Sequence, residues 1–288
     1  MIIAIASGKG GTGKTTVASN LAAVAARNGI QASYLDCDVE EPNGHLFLKP
    51  AIDNSQLVTS LVPEVDESTC EGCGACARIC RFGAIVCLAG KAMTFNDICH
   101  SCGGCALVCP TGAISEVQRE IGEIETGSSN GIGFIHGRLR IGEPKSPPLI
   151  RKVLERGNEL ATDGEMLLVD APPGSACPAV AAIRSADLVL LVAESTPFGL
   201  HDLKIAVEVV KKLKLSFAVV INRHGMGDDR VEKFCRREGI EILEKIPDDR
   251  RIAEAYSRGE LIVEAIPEYR DLFLSILEKA RSTARNRQ

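Results

Sequence analysis

Aromatic residues are scarce in this chain and basic residues are not in excess, and both facts limit the structures and functions that the chain can have. Trp is absent, and Phe, Tyr and Trp together make up 4% of the 288 residues. Small and β-branched aliphatic side chains must therefore fill the core, which is typical of buried parallel strands. Lys and Arg number 33 against 38 Asp and Glu, for a formal net charge of −5, so the composition gives no support for nucleic-acid binding.

The sequence also lacks an apolar run long enough to span a bilayer. Its first residues, MIIAIASGKGG, are apolar, but no basic residue precedes the apolar stretch as it would in a secretory signal peptide. They lead directly into a glycine-rich loop and predict a first β-strand. We therefore expect a cytoplasmic protein with no stable membrane anchor.

Buried strands alternate with helical segments over most of the chain. The runs MLLVD, LVLLVAE and FAVVINR are continuously apolar and predict central parallel strands, and the segments between them predict helices. This pattern indicates a doubly wound, mostly parallel α/β sheet, with residues 242–246 as an edge strand. The pattern is interrupted between residues 39 and 146 by extended pieces, an internal repeat and a predicted hairpin over 117–146.

A phosphate-binding motif follows the first strand and opens the first helix. GKGGTGKTT (8–16) fits G-x-x-x-x-G-K-[ST] in the structural context that this motif requires. Backbone amides turned inward by the glycines would bind phosphate at the helix N-terminus. Lys14 would reach the β- and γ-phosphates, and the Thr15 hydroxyl would bind Mg²⁺. The predicted nucleotide-binding residues are Gly8, Gly10, Gly11, Thr12, Gly13, Lys14, Thr15 and Thr16.

Lys9 makes the motif more specific. The sequence KGGTGKT resembles the deviant Walker motif of the MinD/ParA/Mrp family of P-loop ATPases and of nitrogenase iron protein. The resemblance covers residues 1–48 and 147–270. It implies ATP hydrolysis in an ATP-dependent dimer, formed with a second copy or a similar ATPase, in which Lys9 reaches the partner's nucleotide.

Three further segments carry the same resemblance. Asp36-Cys37-Asp38 resembles the family's D-x-D segment, which implies that Asp38 orients or activates the attacking water. MLLVDAPPG resembles the Walker B strand and implies that Asp170 holds a magnesium-bound water, while Asn222 matches an adenine-contacting residue. The predicted catalytic residues are thus Lys9, Lys14 and Asp38, and the predicted magnesium site is formed by Thr15, Asp38 and Asp170.

Eight of the twelve cysteines lie in a repeat. CEGCGACARICRFGAI (70–85) matches CHSCGGCALVCPTGAI (99–114), and each run has the spacing C-x2-C-x2-C-x3-C. A disulfide framework fits poorly, because the spacing is that of metal ligands. A zinc site also fits poorly, because four-ligand zinc sites usually use two C-x2-C pairs separated by a long gap. The runs resemble the bacterial two-cluster ferredoxin, although Arg81 stands where the second run has Pro110.

This resemblance implies two [4Fe–4S] clusters, each held by three cysteines of one run and the fourth of the other. The implied ligand sets are Cys70, Cys73, Cys76 and Cys109 for the first cluster, and Cys99, Cys102, Cys105 and Cys80 for the second. The remaining cysteines, Cys37, Cys87, Cys177 and Cys235, are predicted to be structural. Cys177 resembles in position a cluster cysteine of nitrogenase iron protein, but we expect it to serve packing or partner docking.

Together these motifs predict a P-loop ATPase domain (1–65 and 117–288) with an inserted α+β ferredoxin-like domain (66–116). The predicted function is Mg²⁺-dependent ATP hydrolysis that couples nucleotide state to electron transfer with a redox partner protein. Two alternatives remain open. One is an iron–sulfur cluster assembly or carrier ATPase, although no C-terminal C-x-x-C pair is present. The other is a redox-sensing MinD/ParA-like positioning ATPase, although neither an amphipathic membrane tail nor a basic surface is evident.

Overall fold

The computed structural model describes residues 1–286, and its centre is a nine-stranded sheet. The strands are β1 (Ile2–Ala6), β2 (Ala32–Asp36), β3 (Ala51–Val65), β4 (Ile85–Leu88), β5 (Lys91–Thr94), β6 (Ile114–Ser129), β7 (Ile132–Leu139), β8 (Met166–Asp170), β9 (Leu188–Glu194), β10 (Phe217–His224) and β11 (Ile242–Pro247). The order across the large sheet is β11-β10-β9-β1-β8-β2-β7-β6-β3. All neighbouring pairs from β11 to β7 are parallel, and the pairs β7–β6 and β6–β3 are antiparallel.

Helices pack on both faces of this sheet and also occur in the cysteine-rich segment. They are α1 (Lys14–Arg27), α2 (Gly44–Leu48), α3 (Ala75–Ile79), α4 (Gly104–Leu107), α5 (Pro147–Leu160), α6 (Cys177–Ile183), α7 (Pro197–Lys212), α8 (Arg230–Glu238), α9 (Arg250–Ser257), α10 (Ile262–Ala265) and α11 (Arg270–Arg285). Successive strand residues point to opposite faces, so Ile3 and Ile5 pack beneath α1 and α11. Ala4 and Ala6 pack on the other side, with α5 and α7. The predicted mostly parallel α/β sheet is confirmed.

β3 and β6 form an antiparallel ribbon that extends beyond the parallel sheet. β3 has 15 residues and, at about 3.4 Å per residue, spans roughly 50 Å. β6 pairs with β7 only from Gly122 to Ser129, whereas residues 114–121 of β6 pair with β3 alone. The turn from β6 to β7 is Asn130-Gly131, and both residues have positive φ, as a two-residue hairpin turn requires. The hairpin predicted over 117–146 is confirmed, and β6 begins three residues earlier than the predicted boundary.

The cysteine-rich segment connects the far ends of β3 and β6. Its two halves fold alike: α3 follows Gly74 and α4 follows Gly103, and both glycines have positive φ, 74° and 68°. Between the halves, β4 and β5 form a two-stranded antiparallel hairpin. The 29-residue sequence repeat is thus also a structural repeat.

The C-terminal helix α11 was not predicted from the sequence. It carries apolar residues at helical spacing, Phe273, Ile276, Leu277, Ala280 and Ala284, and all five are buried. This face belongs to the core that also contains the buried face of α1. No helix of residues 1–286 is long and apolar enough to cross a membrane.

Candidate functional site

The glycine-rich loop between β1 and α1 is closely packed against the ends of β10 and α7. The Nδ2 of Asn222 donates to the carbonyl oxygen of Thr12, at 2.8 Å. A Cβ on Gly13 would lie 2.3 Å from that Nδ2, and Gly13 has φ 91°, so glycine is required there. A Cβ on Gly8 would lie 2.2 Å from the carbonyl oxygen of Asp202. Asn222, predicted to contact adenine, therefore also holds the loop in place.

Lys14, the first residue of α1, is buried at the carboxyl ends of the central strands beside Asp38 and Asp170. The Tyr34 hydroxyl donates to Asp170 Oδ2 at 2.8 Å, while buried Oδ1 makes no hydrogen bond of good geometry. Burial raises the pKa of Asp170, and the Lys14 charge and the nearby Thr15 hydroxyl oppose that rise. An unsatisfied carboxylate oxygen beside a threonine hydroxyl and a phosphate loop fits a hydrated Mg²⁺ ion.

Asp36 has a structural role that sequence reasoning missed. Its Oδ1 accepts from the backbone amide of Asp38 at 3.1 Å, and its Oδ2 accepts from those of Asn43 and Gly44 at 3.1 and 2.9 Å. Burial and the charge of Asp170 raise its pKa well above the usual range, although the Gly44 amide opposes this. Asp36 thus shapes the loop that presents Asp38. The signal was available, because a short acidic side chain after a strand is a frequent turn former.

Asp38 is half-buried and faces the phosphate loop. Burial raises its pKa to about 6, assisted by the negative charges of Asp170, Glu40 and Glu41 and opposed by Lys14. A carboxyl group with a pKa near neutrality can accept a proton from water and release it again. The position of Asp38 is therefore compatible with the predicted role in activating water.

Lys9 is half-exposed and makes ion pairs within its own chain. Its Nζ lies 3.5 Å from Glu194 Oε2 and 3.8 Å from Asp202 Oδ2. Glu194 is also paired with Arg223, at 2.9 Å. Glu194 is buried and Lys9 is only half-exposed, so Lys9 must leave both carboxylates if it is to reach a partner's nucleotide.

Eight cysteines come together around two cavities in the cysteine-rich segment. The first cavity is lined by Cys70, Cys73, Cys76 and Cys109, together with Cys87. The second is lined by Cys80, Cys99, Cys102 and Cys105. Each cavity thus contains three cysteines of one run and the fourth of the other, which are the same sets of four that the ferredoxin resemblance implies.

The surroundings of the fourth cysteines suit thiolates. Burial raises the pKa of Cys80, but the backbone amides of Phe82, Ala84 and Ile85 outweigh it, and the net shift is downward. Cys109 is likewise shifted downward, because hydrogen bonds from Thr111 and the following amides outweigh burial. Backbone amides pointing at sulfur also stabilise iron–sulfur clusters. Across residues 1–286, no three His, Cys, Asp or Glu side chains converge as one metal ion would require.

The remaining cysteines differ from one another. Cys37 and Cys235 are buried, which agrees with the structural role expected for them. Cys87 is only partly buried and lines the first cavity. Cys177 is exposed at the start of α6, so the part of its prediction that concerned packing is wrong, and docking remains a prediction.

Comparison with known proteins agrees with the nucleotide site. The family described as the CobQ/CobB/MinD/ParA nucleotide binding domain matches residues 3–262. An uncharacterised protein of Methanocaldococcus jannaschii is 33% identical over 268 residues, which cover 90% of each chain. A protein of Aquifex aeolicus named iron–sulfur cluster carrier protein is 26% identical over 96% of this chain and 65% of its own length.

Among solved structures, the septum site-determining protein MinD of Pyrococcus horikoshii, complexed with Mg-ADP, superimposes with a TM-score of 0.61. The match covers 96% of this chain and 94% of that one, at 22% identity. This likeness shows the shared fold.

The raised pKa of Asp38 predicts how hydrolysis depends on pH. Since Asp38 must be deprotonated to accept a proton, kcat/KM for ATP should fall roughly tenfold per pH unit below about pH 6. Asp38→Asn should lower kcat/KM and flatten this limb of the profile. Asp53→Asn, at an exposed position of β3, is the matched control and should behave like the parent. A parent profile that stays flat to pH 5 would contradict the role of Asp38.

Lys9→Ala should separate nucleotide binding from hydrolysis. ATP affinity should be retained, because Lys14 and the loop amides remain. Hydrolysis should fall at least about 100-fold, the scale of one lost transition-state donor, and ATP-dependent dimerisation should weaken. Fluorescent-nucleotide titration, steady-state hydrolysis and light scattering measure the three quantities. Lys211→Ala removes a surface ion pair with Glu238 instead and should change none of them. Parent-like hydrolysis and dimerisation in Lys9→Ala would refute the assignment.

Proposed function

Because the chain belongs to the CobQ/CobB/MinD/ParA family of nucleotide-binding domains, we propose that it is a Mg²⁺-dependent ATPase whose nucleotide state is coupled to electron transfer through two [4Fe–4S] clusters. Residues 66–116 would act as a ferredoxin-like insert, and the clusters, when bound, supply one-electron redox chemistry. The two cavities with four cysteines each support this proposal. Asn222, Lys14, Thr15 and Asp170 would hold the nucleotide and its metal ion.

The proposed coupling is supported by two sets of contacts made by residues 139–146, which run from the last residue of β7 to the residue before α5. Its first contact is with the loop after Asp38. The amide of Leu139 donates to the carbonyl oxygen of Val39 at 2.8 Å, and the Ser146 hydroxyl donates to Glu40 Oε1 at 2.8 Å. A shift of the Asp38 loop would therefore move this segment.

The second contact of the 139–146 segment is with the second cysteine cavity. Lys145 Nζ donates to the carbonyl oxygen of Cys99. Glu143, whose side chain is fully buried, pairs with Arg119 at 2.8 Å, and Arg119 in turn pairs with Asp97 at 2.5 Å. Asp97 lies two residues before Cys99. One short segment thus touches both the loop after Asp38 and the loop that carries Cys99, a predicted cluster ligand.

Order–disorder changes of loops that sense the γ-phosphate are an established way to transmit nucleotide state. In the proposed cycle, Asp38 and Asp170 would hold the Mg²⁺ that accompanies ATP, and the Asp38 loop would change position with the nucleotide state. Movement of Glu40 then displaces Ser146 through their hydrogen bond, and Lys145 displaces the Cys99 loop through its bond to the Cys99 carbonyl oxygen. Lys9, released from Glu194, engages a second copy or a similar ATPase in a cytoplasmic complex with a redox partner protein.

A second candidate function is that of an iron–sulfur cluster carrier. It is favoured by the name of the Aquifex aeolicus relative and by a like-named protein of Pyrococcus horikoshii, which is 24% identical over 91% of this chain. Transfer of clusters to an acceptor protein lacking them would leave the chain short of iron. Electron transfer would leave its iron content unchanged.

The coupling is tested by iron removal in the two nucleotide states. With reconstituted protein, the rate of iron loss to a chelator should differ between Mg-ATP and Mg-ADP, because the Cys99 loop shifts. Ser146→Ala should reduce this difference, since the bond to Glu40 is lost and Ser146 caps no helix amide. Ser55→Ala removes a comparable serine–glutamate bond, to Glu123 on the ribbon, and should preserve the difference.

Two outcomes would count against the proposal in different ways. Equal rates with ATP and ADP in the parent protein would refute the coupling itself. A parent-like difference in Ser146→Ala would refute the route through residues 139–146 while leaving the coupling intact.

A further inference from the structure

Besides Glu71 in the first cysteine cavity and His100 in the second, the structural repeat places one more side chain able to bind iron at the same position of each. Cys87 follows Cys70 by 17 residues, and Glu116 follows Cys99 by the same 17. Cys87 lines the first cavity and Glu116 lines the second. The two cavities are therefore equivalent in fold but differ in chemistry, because the additional group is a thiol in one and a carboxylate in the other.

The hairpin of β4 and β5 holds Cys87 against the loop that carries Cys73. A Cβ on Gly72 would lie 2.0 Å from the carbonyl oxygen of Gly90, so the hairpin turn rests directly on this loop. The thiol of Cys87 donates to the carbonyl oxygen of Gly72 at 3.2 Å, and a Cβ on Gly74 would lie 3.9 Å from the Cβ of Cys87. Gly72 and Gly74 flank Cys73, so Cys87 lies beside the loop that carries Cys73.

We propose that Cys87 is a reserve iron ligand of the first cavity, able to take the place of Cys73. This inference rests on the proposed function, because it requires the cavity to hold a cluster. In the exchange, the bond from iron to the Cys73 sulfur breaks as the bond to the Cys87 sulfur forms. The thiol proton of Cys87 passes to Cys73, and no electron is gained or lost.

Exposure identifies Cys73 as the ligand to be replaced. Cys73 is exposed, whereas Cys76 in the same cavity is buried and shielded from water. Water reaches an exposed sulfur ligand more readily than a buried one and can displace it from iron. A neighbouring thiol is the matched replacement, since thiolates suit iron–sulfur iron better than harder carboxylate oxygens do. The second cavity, whose exposed ligand is Cys102, has no fifth thiol: besides its four cysteines it is lined by Glu116, which is exposed, and by His100, which is stacked on Phe82.

The repeat also provides the matched control for an experiment, since Cys102 corresponds to Cys73. Full-length parent, Cys73→Ala, Cys102→Ala, Cys87→Ala and the double variant Cys73→Ala/Cys87→Ala are reconstituted anaerobically with iron and sulfide. Iron and sulfide per chain are measured, and the clusters are observed by electron paramagnetic resonance. ATP affinity of each variant reports whether the ATPase part is folded.

The parent, Cys87→Ala and Cys73→Ala should each hold about eight iron atoms, the content of two cubanes. Cys102→Ala and the double variant should lose iron, towards about four atoms per chain if one cubane is lost. Equal losses in Cys73→Ala and Cys102→Ala would overturn the proposal, and so would a full complement in the double variant.

A second measurement keeps the proposal falsifiable if Cys73→Ala does not fold. In Cys87→Ala, one of the two clusters should lose iron to a chelator faster than in the parent, because the iron bound by the exposed Cys73 then has no second thiol beside it. An unchanged rate would overturn the proposal. A parent protein that binds no clusters would instead refute the proposed function, and the two failures are thereby distinguished.

Discussion

The nucleotide site depends on one buried cation, Lys14, that faces more negative charge than it can neutralise. Asp38 and Asp170 both interact with Lys14, and Asp36 lies close enough to Asp170 for the charge of Asp170 to raise the pKa of Asp36. Burying carboxylates that lack a full set of partners costs free energy, and this cost appears as raised pKa values of Asp36, Asp38 and Asp170. A divalent cation held by Asp38 and Asp170 beside Thr15 would offset this repulsion.

The three carboxylates differ in the hydrogen bonds that they make, and these differences determine which of them can move. Asp36 is occupied by three backbone amides, and Asp170 is anchored by the Tyr34 hydroxyl. Among residues 1–286 no hydrogen bond to the Asp38 side chain comparable to these is present, and Asp38 is only half-buried, so it is the carboxylate that can follow the nucleotide. Its loop continues into Val39 and Glu40, which contact residues 139–146. The charge imbalance at Lys14 is therefore connected to the Cys99 loop through only a few contacts.

Local sequence patterns predicted the elements whose signal is carried by neighbouring residues. The apolar runs predicted the central strands, the 8–16 motif predicted the phosphate loop, and the ferredoxin resemblance of the cysteine runs anticipated which side chains meet around each cavity. What was missed depends on distant contacts or on whole-chain packing. Examples are the full length of β3, the burial of α11 against α1, and the Lys145–Cys99 contact, which joins residues 46 positions apart. The exposure of Cys177 could not be inferred from one residue alone, because cysteine is usually buried.

Amide hydrogen exchange on the reconstituted protein tests the central claim most directly. Exchange is compared between Mg-ATP and Mg-ADP for three segments: the Asp38 loop (36–44), residues 139–146 and the loop around Cys99 (96–103). The account predicts that ATP changes protection in all three, because each contacts the next. A change confined to residues 8–44, with identical exchange at 139–146 and 96–103, would contradict it.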